Sequence, residues 1–135
     1  MSEQMPYQTV MRTLAVQDVH VATFATHSRQ EGDVVVVCLV GNADVAAQES
    51  LKKFLDALHA EAQALKIREL RFAVEELYFM NSSCLSLLLR HINAVLQAPA
   101  ARKYKMKFKS NPNLRWQKRS LKALQSYAPD LVAIE

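Results

Sequence analysis

The run VVVVCLV at residues 34–40 constrains this chain more than any other stretch. Seven apolar residues rich in β-branching are too short for a typical helix, and Gly41 bounds them. A strand buried on both faces is the best fit. Ahead of it, SRQEGD (28–33) reads as a polar turn with Gly32 placed for positive φ. Before that turn, Val19, Val21 and Thr23 alternate with His20, Ala22 and Phe24, which reads as a first strand. After the valine run the period changes. Across 45–66, Leu51, Phe54, Leu55, Leu58 and Leu65 fall on one helical stripe, with Glu49, Lys52, Lys53, Asp56 and Glu61 mostly off it.

The alternation of strand and helix then continues. LRFAVEEL (70–77) reads as a short strand with Leu70, Phe72 and Val74 inward. Residues 82–97 form a second apolar-faced helix through Leu85, Leu88, Leu89, Ile92, Val95 and Leu96, ended by Pro99. KYKMKFK (103–109) alternates strictly, so Tyr104, Met106 and Phe108 are buried and the lysines face the other way. Residues 110–129 open with a turn signal and run helical through Leu114, Leu121 and Leu124, and LVAIE is a final short strand. The order β-β-α-β-α-β-α-β implies one α/β domain with a mixed sheet of about four to six strands and crossover helices. Residues 1–17 are weakly patterned, an extension that either adds a strand or stays disordered, and 18–135 are the domain.

Composition narrows the function classes. At 135 residues the chain can bury a real core. No apolar run approaches the ~20 residues of a membrane helix, and the first residues do not read as a signal peptide. Cys38 and Cys84 offer neither a disulfide framework nor zinc spacing, which points to a reduced, cytoplasmic protein. Charge is asymmetric: residues 1–76 carry eleven acids and seven bases, residues 77–135 two acids and ten bases. Nine of those bases lie between Arg102 and Lys122 with no acid among them. Such a surface attracts an acidic partner.

Few residues point to catalysis. Glu75 and Glu76 are adjacent and would face opposite sides of a strand, and the four histidines have no ligand spacing. Glycine-rich phosphate loops and metal motifs are absent from the sequence, so no enzyme, metal or cofactor is expected. Cys84 lies in a first helical turn, where a thiolate is favoured, but small apolar packing is the commoner role. Asp44 reads as a helix cap, and either Asn81 or Ser82 caps the second helix. The basic surface comprises Lys103, Lys105, Lys107 and Lys109 on the strand, continued by Arg115, Lys118, Arg119 and Lys122 on the following helix around Trp116. Edge protection of an outer strand or docking of an acidic protein ranks above nucleic-acid binding there.

Two segments carry a resemblance. Gly41-Asn42-Ala43-Asp44, leading from strand into helix, resembles the GxxD that follows the second strand of STAS domains. LRFAVEELYFMNSSCLSLLLRHI (70–92) resembles the family's strand, loop and helix with its (M/V)DSSGLGxLL motif. Phe79, Met80, Ser82, Ser83, Leu85, Leu88 and Leu89 are in register. The likeness extends over about residues 17–135. It implies a non-enzymatic bacterial regulator of the anti-sigma factor antagonist kind, binding a protein partner of kinase or anti-sigma type. By position the phospho-acceptor would be Ser82, with Ser83 second. The partner surface would comprise Asn42, Asp44, Met80, Asn81, Ser82, Ser83, Cys84 and Leu85, and a homodimer is compatible with it. The motif departs in three places: Asn81 replaces the acid before the acceptor, and Cys84 and Ser86 replace the two glycines. Loss of the acid bears on phosphorylation; loss of glycines stiffens the first turn, because Gly there costs about 0.8–1 kcal/mol against Ala. Two alternatives stay open: a nucleic-acid-binding protein using residues 102–122, and an unphosphorylated structural subunit of a larger regulatory assembly.

Overall fold

In the computed structural model, which describes residues 11–12 and 14–135, the valine run becomes the spine of one mixed sheet. The strands are β1 (Met11–Arg12), β2 (His20–Val21), β3 (Phe24–Glu31), β4 (Val34–Ala43), β5 (Glu69–Ala73), β6 (Leu77–Met80), β7 (Lys105–Lys109) and β8 (Val132–Ile134). The helices are α1 (Gln48–Leu65), α2 (Ser82–Gln97) and α3 (Arg115–Tyr127). The main path across the sheet is β1-β3-β4-β5-β7-β8, with β2 against β3 and β6 against β4. The β3–β4 hairpin is antiparallel, and every step from β4 to β8 is parallel.

Parallel steps need crossovers, and right-handed crossovers that all advance in one direction place their helices on one face. The side chains obey this. Val35, Val37, Leu39, Leu70, Phe72, Met106 and Phe108 share one buried cluster with Leu51, Leu55, Leu58, Leu88, Ile92, Leu121 and Leu124. The opposite sheet face carries no helix. There Val34 and Val36 are nevertheless buried, because their register neighbours are the long side chains of Glu31, Glu69, Arg29 and Arg71. Cys38 and Val40 have smaller neighbours, including Ala25 and Ala73, and are half-exposed. Burial of the valine strand on both faces therefore holds only for its first half.

Several boundaries move. The strand expected at 19–24 is only His20–Val21, where Ala22 at φ 53° turns the chain, and β3 runs through residues 28–31 of the expected polar turn. Polar inward side chains there are satisfied: Thr26 Oγ1 donates to Asp18 at 2.9 Å and accepts from the Val19 amide at 2.9 Å. Only Gly32 and Asp33 remain as the turn. LRFAVEEL contributes to two strands separated by a turn at Glu75–Glu76, and the β4 edge that β6 pairs with shifts register at Gly41/Asn42. Leu65 is exposed at the helix end, where Lys66 takes a left-handed C-cap at φ 54°, and Ala62 is the last buried position of the stripe. The lysine strand β7 is interior, paired with β5 and β8, so its lysines do not protect an edge.

The described part of the N-terminal extension joins the domain. Met11 and Arg12 pair with β3, Leu14 enters the core, and the Ala15 and Val16 amides donate to the Glu61 carboxylate at 2.8 and 2.7 Å. Residues 1–10 and 13 lie outside the described residues.

Candidate functional site

Strand β4 runs on past the valines because β6 pairs with its end, Asn42 opposite Phe79 and Ala43 opposite Met80. Gly41 is the pivot. Its φ is +94°, and a Cβ there would fall 1.7 Å from the Thr23 carbonyl oxygen. Only glycine permits that close backbone crossing. The same crossing is fixed by Asn42, whose amide donates to Thr23 O at 3.1 Å and whose side chain donates to Thr23 Oγ1 at 3.3 Å.

Two loops thereby meet. The Asn81 amide donates to Ala43 O at 2.9 Å, and the Cys84 thiol donates to Asp44 O at 3.6 Å. Asp44 caps a single 3₁₀ turn (Val45–Ala47) by accepting from the Ala46 amide at 3.1 Å. Asn81 caps α2: its Oδ1 accepts from the Cys84 amide at 2.8 Å, and its carbonyl accepts from Leu85 N at 3.0 Å. The cap is therefore Asn81, not Ser82. This leaves Ser82 and Ser83 exposed as the first two helical residues, with amides that have no intrahelical acceptor. No acid stands in the first turn. The Ser82 hydroxyl is thus presented to solvent where the helix dipole favours an added anion.

Of the partner-surface residues expected from sequence, Asn42, Asp44, Asn81 and Leu85 are partly accessible and Ser82 and Ser83 are exposed. Met80 and Cys84 are buried, so they support the surface from beneath and cannot line it. Burial, with Asp44 adding to it, pushes the Cys84 thiol up, away from an activated thiolate. Three residues that sequence reasoning missed complete the surface. Val45 is 79% exposed, Tyr78 56% and Phe79 47%, all flanking the junction of the two loops. Part of the signal was available: Tyr78 and Phe79 adjoin in a short strand, so alternation leaves one of the two off the covered face, while exposure of both departs from that period.

The basic surface divides. Lys105, Lys107 and Lys109 point to the bare sheet face, since their neighbours Met106 and Phe108 fill the core. Lys107 approaches Glu135 at 3.6 Å, and Lys105 Nζ donates to Asp130 O at 2.6 Å. Lys103 precedes the strand. Arg115, Lys118, Arg119 and Lys122 lie exposed on α3, across the sheet, so helix and strand cations do not form one row. Trp116 is half-buried, its indole donating to Leu77 O at 3.1 Å.

A polar cluster lies between α1 and α2. Tyr104 Oη is 2.8 Å from both His59 Nδ1 and His91 Nε2. Burial, with His59 alongside, lowers the His91 pKa to about 3, with the Leu55 backbone and Asp56 opposing. Burial lowers His59, opposed by Asp56, and raises Tyr104. Among the described residues no cluster of three or more acids, histidines or cysteines could hold a metal ion, and no helix is long and apolar enough to cross a membrane.

No protein-family model matches this sequence, and no curated protein does. Among solved structures, one that matches is the crystal structure of an anti-sigma factor antagonist from Mycobacterium paratuberculosis. Identity is 15% and the TM-score 0.60, over 82% of this chain and 85% of that one. With the single mixed sheet, the one-sided helices and the loop-to-helix junction in place, this chain has the fold of an anti-sigma factor antagonist, as the STAS-like motifs implied.

Proposed function

We propose that this chain is a non-enzymatic regulatory protein that docks a protein partner, of kinase or anti-sigma type, on the surface formed by the start of α2 and the β4–α1 loop. The observation that carries the reading is the exposed pair Ser82 and Ser83 beside exposed Val45, Tyr78 and Phe79. Aromatic and aliphatic groups flanking polar helix-start residues supply docking area without charge to desolvate. Phosphorylation of Ser82 would transfer a phosphoryl group from the partner's ATP to Oγ. This would place about −1.5 to −2 charges at the centre of that surface and oppose docking. The anti-sigma factor antagonist likeness supports the partner class, and the division of the basic surface counts against a continuous nucleic-acid track.

Asn81 favours a second reading, docking without phosphorylation, because the neutral amide already caps α2 and leaves no carboxylate beside the acceptor. Capture from nuclease-treated native lysate with wild type, Ser82→Ala and Ser82→Asp tests both. The switch reading expects a protein held by wild type and Ser82→Ala and lost with Ser82→Asp. Equal capture by all three, with an unmodified Ser82 peptide, refutes the switch and leaves constitutive docking. Ligand lost on nuclease treatment refutes protein docking altogether.

A further inference from the structure

The outer face of α3 and the cleft beneath it are separate from the docking surface just described. Arg115, Lys118, Arg119 and Lys122 are exposed, and α3 contains no acidic residue. Among the described residues none of the four has a carboxylate within 4.0 Å. The spacings 115, 118, 119 and 122 place them along one side of the helix, spanning about 10 Å at 1.5 Å per residue.

Lys118 and Lys122 also border a cavity of about 380 Å³ between α3, the turn after β7 and the end of β8. Its apolar lining comes from Leu121, Pro112 and Ile134. The neutral polar groups in its wall are largely committed. Gln117 Oε1 accepts from the Asn111 amide at 2.8 Å, and its Nε2 donates to Val74 O at 2.6 Å. Asn111 donates to Glu75 O at 3.0 Å and accepts from Asn113 N at 2.9 Å. Ser110 Oγ donates to Glu135 O at 2.7 Å. What the cleft offers an incoming group is therefore an apolar floor, the Gln125 amide and two ammonium groups at its rim.

We infer that this cleft and the α3 cation stripe bind an acidic peptide segment, an apolar side chain entering the cleft and flanking carboxylates meeting Lys118 and Lys122. Arg115 and Arg119 extend the positive surface beyond the cleft, out of reach of a small ligand with a single carboxylate but not of a chain carrying several. Nucleic acid fits less well. Bases stack best on aromatic faces, and the cleft floor of Leu121 and Ile134 is aliphatic while Trp116, next to the stripe's start, is held inward by its bond to Leu77 O.

The test uses the full chain and a fluorescein-labelled peptide of glutamates around a central leucine. Controls are the same peptide with serine for leucine and a labelled oligothymidylate. The leucine peptide should bind in low salt, weaken by about tenfold or more with Lys118→Glu/Lys122→Glu, and bind more tightly than the serine peptide. Circular dichroism of that variant verifies folding, and Ile134→Ser should reduce the leucine preference while leaving the serine peptide unchanged. Absence of peptide binding, binding indifferent to charge reversal, no leucine preference, or stronger binding of the oligothymidylate overturns the inference.

Discussion

Replacing His91 by Gln removes a proton-binding site from the core and should flatten the acid limb of the stability curve. His91 is 4% exposed on α2, with Tyr104, His59, Phe72 and the Leu55 carbonyl around it and the Asp56–Arg90 pair beyond. Its pKa falls from 6.5 to about 3 on folding, so the native state holds it neutral while the unfolded chain takes a proton. A depressed folded pKa in a base gives stability that is present above about pH 6.5 and lost as pH falls toward 3. Each pKa unit is worth about 1.4 kcal/mol. Between pH 7 and 5, before carboxylates titrate strongly, His91 alone should remove about 2 kcal/mol, a large share of a typical 5–15 kcal/mol. His59 shifts in the same direction, which is why the variant comparison is needed. Gln can keep a hydrogen bond to Tyr104 in place of the imidazole's. Urea denaturation of both proteins at pH 7 and 5 should show wild type losing about 2 kcal/mol more than His91→Gln. Equal losses would refute the assignment of a buried neutral imidazole.

Three further outcomes follow from the site. Gly41→Ala should cost roughly 3 kcal/mol or more in urea denaturation, because its Cβ meets the Thr23 carbonyl and φ is positive; a cost below about 1 kcal/mol would show that the crossing relaxes freely. Asn81→Ala should lose about 1 kcal/mol by the same measurement, whereas Asn81→Asp should keep the cap and add favourable charge at the helix start. Cys84 should react with iodoacetamide far more slowly in the folded protein than after denaturation. Fast native alkylation would contradict its burial.

What the sequence disclosed and what it hid have physical causes. The helices and the interior strands β5 and β7 were legible because each pairs a clear period with one covered face, as in Met106 and Phe108 against alternating lysines, and β4 was legible from its unbroken β-branched run. Strand β3 was hidden because its inward Thr26, Ser28 and Gln30 are polar, and hydropathy alternation does not report side chains satisfied by Asp18 and backbone. The break between β5 and β6 faces the Gly41 register shift in β4, where Gly41 packs on Thr23, a neighbour outside the local hydropathy pattern. Burial of Gln117 and His91 is not legible in the sequence because their partners, Val74 O, Leu77 O and Tyr104, come from other elements. At the site, the motif located Ser82 and Ser83, but burial alone separated supporting Met80 and Cys84 from exposed Tyr78 and Phe79.

Hydrogen exchange of the chain, free and bound to the captured partner, tests docking at the α2 start most directly. Bound partner should protect amides in residues 42–47 and 77–86 and leave 102–125 unchanged. Protection confined to 102–125, or none in 42–47 and 77–86, would contradict it.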